Sequence, residues 1–426
     1  MAINYQKTAT YLFDLVEKSG VPELIRRLGP KQEPLPRRMP GHEHITSEAV
    51  EQRWDILSPH TAARAELLES HTLAQMQAYQ HNIENFIGTV KLPVGIAGPL
   101  RINGLFAQGD FYVPLATSEA SLVASYSRGA RVISEAGGAS AALLSEGVGR
   151  APVFIFSTIS EVEYFLRWLG ENESQIHATA EQTTKHGKLI DIEVTVEGHH
   201  VFVLFVYNTG DAAGQNMVTI ATHAAVEWIK QHMPLAPRSV YLESNYSGDK
   251  KASALSLQGV RGKKVVAETR IPPTLVQERL HTTPERIVEC GRIGTMGGVL
   301  SGTLGTQGHF ANGLAALFIA CGQDAACVAE AAIGTTSFEL DPDGSLYVAV
   351  TLPNLIVGTV GGGTKLPSQH ACLDILGLAG VGNARAFAEL AACICLAGEI
   401  SLVAAISADQ FAQAHAKLAR GSSTTP

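Results

Sequence analysis

Between residues 152 and 244 the apolar positions change period in a regular succession. Residues 152–158 are almost continuously apolar and predict a strand. Residues 160–169 follow with helical spacing, opened by Ser160 with acidic residues in the first turn. Residues 188–196 alternate with period two, Glu197 and Gly198 turn the chain, and residues 201–207 return as a second strand. Residues 217–233 predict a helix and residues 239–242 a last strand. The order β-α-β-β-α-β is the split ferredoxin-like arrangement. It predicts a small domain, 152–240, inserted into a larger one formed by 86–151 and 241–408.

The larger part reads as Gly/Ala-rich helices broken by extended pieces near 264–269 and 346–352. Residues 1–85 predict short amphipathic helices at 11–16 and 23–28, a Pro-rich stretch from Pro30 to Pro40, and a longer helix near 60–80. A short helix and polar tail, 409–426, close the chain. The fold class expected is α+β.

Composition narrows the function. The 426 residues are 46% apolar and 17% charged, which fits a globular protein of two or three domains. A net charge of −8 argues against nucleic-acid binding. The N-terminus lacks a signal pattern, and the best apolar run is interrupted by Gln323 and Asp324, so a cytoplasmic enzyme without membrane contact is expected. The six cysteines lack zinc-site spacing and are expected to be reduced thiols, with no metal bound.

Four ionisable groups stand out. Asp324 lies among small apolar residues from Gly313 to Ala329, a segment read as a buried helix; a buried carboxylate needs a cation or a use. Glu119 sits among small neighbours at a predicted helix start, where burial would raise its pKa. Lys250 follows Asp249 in a turn-like segment, and His415 lies in the C-terminal helix. No G-x-G-x-x-G follows a strand, but the run 358–364 is a glycine-rich loop in which Gly361 and Gly362 would let backbone approach a phosphate or a nicotinamide ring.

Four stretches carry a likeness: residues 84–100, Asp211-Ala-Ala-Gly-Gln-Asn-Met217, Gly322-Gln-Asp324 and the loop 358–364. In these the chain resembles the 3-hydroxy-3-methylglutaryl-CoA (HMG-CoA) reductases over about residues 84–415. The resemblance implies reduction of HMG-CoA to mevalonate and CoA by two reduced nicotinamides. It implies Lys250 as the cation that stabilises the oxyanion, Asp324 as its partner, Glu119 as proton donor and His415 as the acid for the leaving thiolate. Thr184, Lys185 and His186 align with the segment at the adenosine ribose phosphate, and Lys185 favours NADPH, with NADH possible. Asp211, Gly214, Asn216 and Met217 match the cofactor loop. Arg150 matches a residue that binds the substrate's free carboxylate, Ser125 and Arg128 lie near CoA, and Asn312 is a pocket amide.

Three departures are visible. Animal members have Ser-Gly where this chain has Glu243-Ser244, so the substrate contact is expected from Ser244. Arg292 stands in place of a pocket lysine, and Gly421 in place of a regulatory phosphoserine. The family's active sites form between subunits, so a homodimer or higher oligomer is expected. The same fold could also run oxidatively with NAD⁺, or bind a CoA thioester without catalysis; activity with each nicotinamide separates the three readings.

Overall fold

A computed structural model describes residues 13, 16–34, 36–40, 44–57 and 61–409. The chain forms two compact units, Met1–Thr89 and Val90–Pro426.

In the first unit the core gathers Ile45, Val50, Trp54, Leu68, Met76 and Phe86. The helix Ser47–Ile56, which the sequence reading passed over, is capped by Thr46, whose side chain accepts from the Ala49 N–H. Its buried Arg53 donates to three carbonyls, of Pro40, His44 and Phe86, so burial leaves its donors partnered. The predicted long helix near 60–80 is instead Thr61–Leu67, Ser70–Ala74 and a 3₁₀ turn Met76–Tyr79. Most of the predicted helix at 11–16 lies outside the described residues.

The second unit is α+β, built on a ten-stranded sheet. Its strands are β1 (Val94–Gly104), β2 (Gln108–Ala116), β3 (Ala139–Arg150), β4 (Val153–Ile155), β5 (Lys188–Glu197), β6 (His200–Asn208), β7 (Ser239–Tyr241), β8 (Gly262–Ile271), β9 (Thr335–Leu340) and β10 (Leu346–Leu355). They run β7-β4-β6-β3-β8-β10-β9, with β5 also on β6 and β1 joining β2 to β3. Strands β7, β4, β6 and β5 are antiparallel neighbours. β6 alternates buried and half-buried positions along its length, the period-two pattern of a strand packed on one face. Thr158 and Glu161 form a reciprocal capping box at the start of the helix Ile159–Glu171.

β3 joins the two halves of the sheet. Its residues 140–147 pair with β8 and 148–150 with β6, which sets Arg150 at the junction.

Behind the sheet runs the helix Ala384–Ser407, 24 residues long and nearly all buried. Among the described residues it is the one helix long and apolar enough to cross a membrane; its most apolar stretch is 89% buried, so it serves as the core of the fold. Two buried carboxylates on it tie down loops. Glu389 accepts from the N–H groups of Phe106, Ala107 and Leu143, and Glu399 from those of Gly308 and His309 and from the Thr336 hydroxyl. A neighbouring helix, Leu122–Glu135, crosses it at Gly129, where a Cβ would strike the Ala397 carbonyl.

Candidate active site

The helix Phe310–Ala320 stops four residues before Asp324. Asp324 therefore does not lie inside a buried helix, as its surroundings predict. It caps the 3₁₀ turn Ala325–Cys327, accepting from the Ala326 N–H through Oδ1 at 3.0 Å. The small residues before it serve backbone contact: Gly322, at φ +69°, meets the backbone of Gly363 where no side chain fits.

Lys250 donates to the other oxygen, Nζ to Oδ2, at 2.8 Å, and the two side chains remain 42% and 39% exposed. Burial pushes the Asp324 carboxyl up, but Lys250 and the Ala326 N–H outweigh it and hold it below its ordinary value. The hydrogen bond to Asp324 raises the Lys250 ammonium. The carboxylate's share of the attraction is lost only as pH falls through the depressed Asp324 value. The ammonium's share is lost only as pH rises through the raised Lys250 value, so the pair is charged throughout the neutral range.

Lys250 has φ +55°, a left-handed conformation that L side chains rarely adopt. Its neighbour Asp249 is itself anchored. Asp249 bridges two guanidiniums, Arg150 Nη1 at 3.3 Å and Arg261 Nη2 at 2.8 Å. Arg261 in turn bonds Glu330 at 2.7 Å, a residue 0% exposed. Burial raises the Glu330 carboxyl, against the pull of Arg261.

Three of the quoted motifs meet here. Gln215, at the start of the helix Gln215–His232, donates to Asp324 Oδ2 at 3.4 Å and to Cys327 Sγ at 3.1 Å. It lies inside the motif 211–217, yet no single-residue feature marks it. Gln323 is clamped to Gly358 by two hydrogen bonds, 3.0 and 2.9 Å. Asp211 caps the Ala384–Ser407 helix, accepting from Gly382 and Ala384, and its carbonyl accepts from Thr359. Gly214 is left-handed, with no room for a Cβ beside Thr209. Gly361 and Gly362 are also left-handed, and open space surrounds them. The buried Lys263, also unmarked in the sequence, donates to the Val357 and Gly210 carbonyls and bonds these loops together.

Other site candidates are distributed around this centre. Thr184 donates to the Met217 sulfur at 3.2 Å and accepts from the N–H groups of His186 and Gly187, while Lys185 and His186 are exposed. Asn216 is exposed. Ser125 and Arg128 converge on Ser401, at 2.9 Å and 2.6–3.1 Å. Arg128 borders a cleft of about 560 Å³ shared with Ser127, Arg131, Arg279 and His281. Ser244 donates to the Ala151 carbonyl at 2.6 Å, so its proton is directed into the fold. Arg292 is exposed on the helix Pro284–Ser301 and Asn312 half-buried on Phe310–Ala320.

Glu119 departs from expectation. It is exposed, in the turn before Leu122, and bonds only through its backbone, to Thr117. The burial expected of it is absent. His415 and Gly421 lie outside the described residues. All six cysteines are free, and among the described residues no group of three or more His, Cys, Asp or Glu side chains is arranged to hold a metal.

Known proteins carry the same plan. The hydroxymethylglutaryl-coenzyme A reductase family profile matches residues 49–420. The 3-hydroxy-3-methylglutaryl-coenzyme A reductase of Methanothermobacter thermautotrophicus is 42% identical over 376 residues, covering 88% of this chain and 94% of its own. That of Haloferax volcanii is 44% identical over 350 residues, covering 81% and 86%. The class II reductase of Streptococcus pneumoniae, solved bound to NADPH in open conformations, superposes with a TM-score of 0.63. It is 22% identical and covers 84% of this chain and 96% of its own, a likeness of fold. The matched region runs through the motif loops that gather around Lys250 and Asp324, and the chain belongs to the hydroxymethylglutaryl-coenzyme A reductase family.

Proposed function

We propose that this chain reduces HMG-CoA to mevalonate and free CoA with two NADPH. The observation that carries this reading is the Lys250–Asp324 contact at 2.8 Å, at the meeting of the loops 211–217, 322–324 and 358–364. When bound, the nicotinamide supplies one hydride to the thioester carbonyl carbon and, after exchange, a second to the aldehyde.

Lys250 places a fixed positive charge where the carbonyl oxygen becomes an alkoxide in each step. Asp324 keeps that charge in place. Glu119, exposed and free to reach a ligand, delivers a proton to the alkoxide oxygen. The hemithioacetal then collapses: its hydroxyl proton returns to Glu119, the C–S bond breaks, the aldehyde forms, and the thiolate takes a proton, a role the resemblance gives to His415.

The strand order β7-β4-β6-β5 supports reading 152–240 as a ferredoxin-like nicotinamide domain inserted between 86–151 and 241–408. The residues suit that ligand: Thr184 touches Met217, Gly361 and Gly362 leave open space, and Lys185 offers an exposed cation for a 2′-phosphate. Arg128, Arg131 and Arg279 around the 560 Å³ cleft suit the phosphates of CoA, and Arg150 the free carboxylate of the acyl group. The helix Pro284–Ser301 exposes Ile293, Met296, Val299 and Leu300, an apolar face that supports a homo-oligomer with shared sites. We read it as a cytoplasmic enzyme, in keeping with its six free thiols.

The test is nicotinamide oxidation by purified protein with HMG-CoA, in parallel with NADPH and NADH, with released CoA titrated. Two NADPH consumed per CoA is the expected result. Tight HMG-CoA binding with no oxidation would reduce the chain to a binding protein. Lys185→Ala is expected to raise the KM for NADPH about tenfold, the loss of one charge-assisted contact, and to leave that for NADH unchanged. An unchanged ratio of the two constants would move 2′-phosphate recognition elsewhere.

A further inference from the structure

Arg150 is the residue read above as the receptor for the substrate's free carboxylate, and it is already occupied by one. Glu243 Oε2 lies 2.5 Å from Arg150 Nη1. The same nitrogen faces Asp249 Oδ2 at 3.3 Å. Glu243 is held by two further partners: its Oε1 accepts from the Asn245 N–H at 2.7 Å, and both oxygens lie 3.3 Å from the Ser247 hydroxyl. It is more open to solvent than Asp249, with 36% of its side chain exposed against 21%.

Charge in the cluster is unbalanced. Two guanidiniums, Arg150 and Arg261, serve three carboxylates, Glu243, Asp249 and Glu330. Asp249 and Glu330 are tied to Arg261, whereas Glu243 has Arg150 alone as its cation. The Arg150 Nε is buried with no hydrogen-bond partner, so the guanidinium is not satisfied by the carboxylates it has. A further carboxylate brought to Arg150 meets like charge from Glu243 unless Glu243 leaves.

We propose that Glu243 is a specificity-determining residue, a resident carboxylate that competes with the free carboxylate of the incoming acyl group for Arg150. This rests on Arg150 as the carboxylate receptor. The glutamate makes each binding event an exchange of one carboxylate for another. The cost falls on acyl groups that end in a carboxylate and leaves CoA and uncharged acyl chains unaffected.

Two variants test it, Glu243→Gln and Glu243→Ser, in the full chain. Each is expected to lower the KM for HMG-CoA, and the dissociation constant of 3-hydroxy-3-methylglutarate measured by calorimetry, about tenfold. Affinity for acetoacetyl-CoA, which lacks the carboxylate, is expected to stay at the wild-type value. A merely structural Glu243 would instead move kcat or weaken all three ligands together. Unchanged or weaker binding of the free diacid by both variants, with unfolding midpoints at the wild-type value, would overturn the proposal. Oxidation of NADPH by the wild type with HMG-CoA reports separately on the reductase reading, so either idea can fail without the other.

Discussion

Replacing Lys250 by alanine is expected to lower kcat with HMG-CoA about a thousandfold, the upper range for loss of one oxyanion-stabilising donor. The loss should be as large with free mevaldehyde, because an alkoxide forms at the same place in both hydride steps. The argument is geometric. Asp324 and Gln215 form a fixed acidic and amide wall, and the ammonium 2.8 Å from Oδ2 is the cation that wall orients. Alanine keeps the backbone, and the half-exposed ion pair contributes little to stability, so the thermal midpoint should be preserved. Stopped-flow nicotinamide oxidation with each substrate checks it. Substantial residual reduction of mevaldehyde would remove Lys250 from the second step.

Arg261→Ala is expected to cost about 3–5 kcal/mol of stability, the range for breaking a buried ion pair from one side. Its guanidinium is the ion-pair partner of Glu330, which is 0% exposed, and the closer of two for Asp249. Without it Glu330 must take up a proton or remain an unpaired charge in the core. Asp249 would keep only the 3.3 Å contact to Arg150 and loosen beside the left-handed Lys250. Activity should fall with stability. The double variant Arg261→Ala/Glu330→Leu should recover much of the thermal midpoint and little of kcat, since Asp249 stays unanchored. A single variant melting at the wild-type temperature would show that the pair has no structural role.

What the sequence disclosed follows from which forces leave a local pattern. Strand β5 was legible because its apolar and polar residues alternate, β6 because it is a short apolar run after the Glu197–Gly198 turn, and the helix Ile159–Glu171 from its apolar spacing and first-turn acids, although its cap is Thr158 and not Ser160. β1 was not: Val94–Gly104 contains three glycines and a proline, and its sheet pairing is imposed by β2 and β3. The helix Glu173–Glu181 was missed beside its stronger neighbour. At the site, Lys250 and Asp324 were found as odd charges in small-residue surroundings. Reading those surroundings as burial failed because glycine and alanine there permit backbone contact at Gly322 and Gly363. Gln215, Lys263 and the Arg261–Glu330 pair act through contacts between residues 53 to 112 positions apart. No local period records such a contact.

The Ala384–Ser407 helix is fastened at both ends to different parts of the proposed site. Asp211, in the cofactor loop, holds its first turn, and Ser125 and Arg128, beside the basic cleft, grip Ser401 near its far end. Its 24 residues make a rod about 36 Å long that cannot be compressed. It acts as a spacer gauge between the proposed nicotinamide side and the proposed CoA side. In the proposed cycle one nicotinamide must leave and another enter while the acyl intermediate stays. A rearrangement that pulls the 211 loop away has to break both Asp211 hydrogen bonds before it can disturb the far end. The spent nicotinamide can thus be exchanged without loosening the grip on the other ligand.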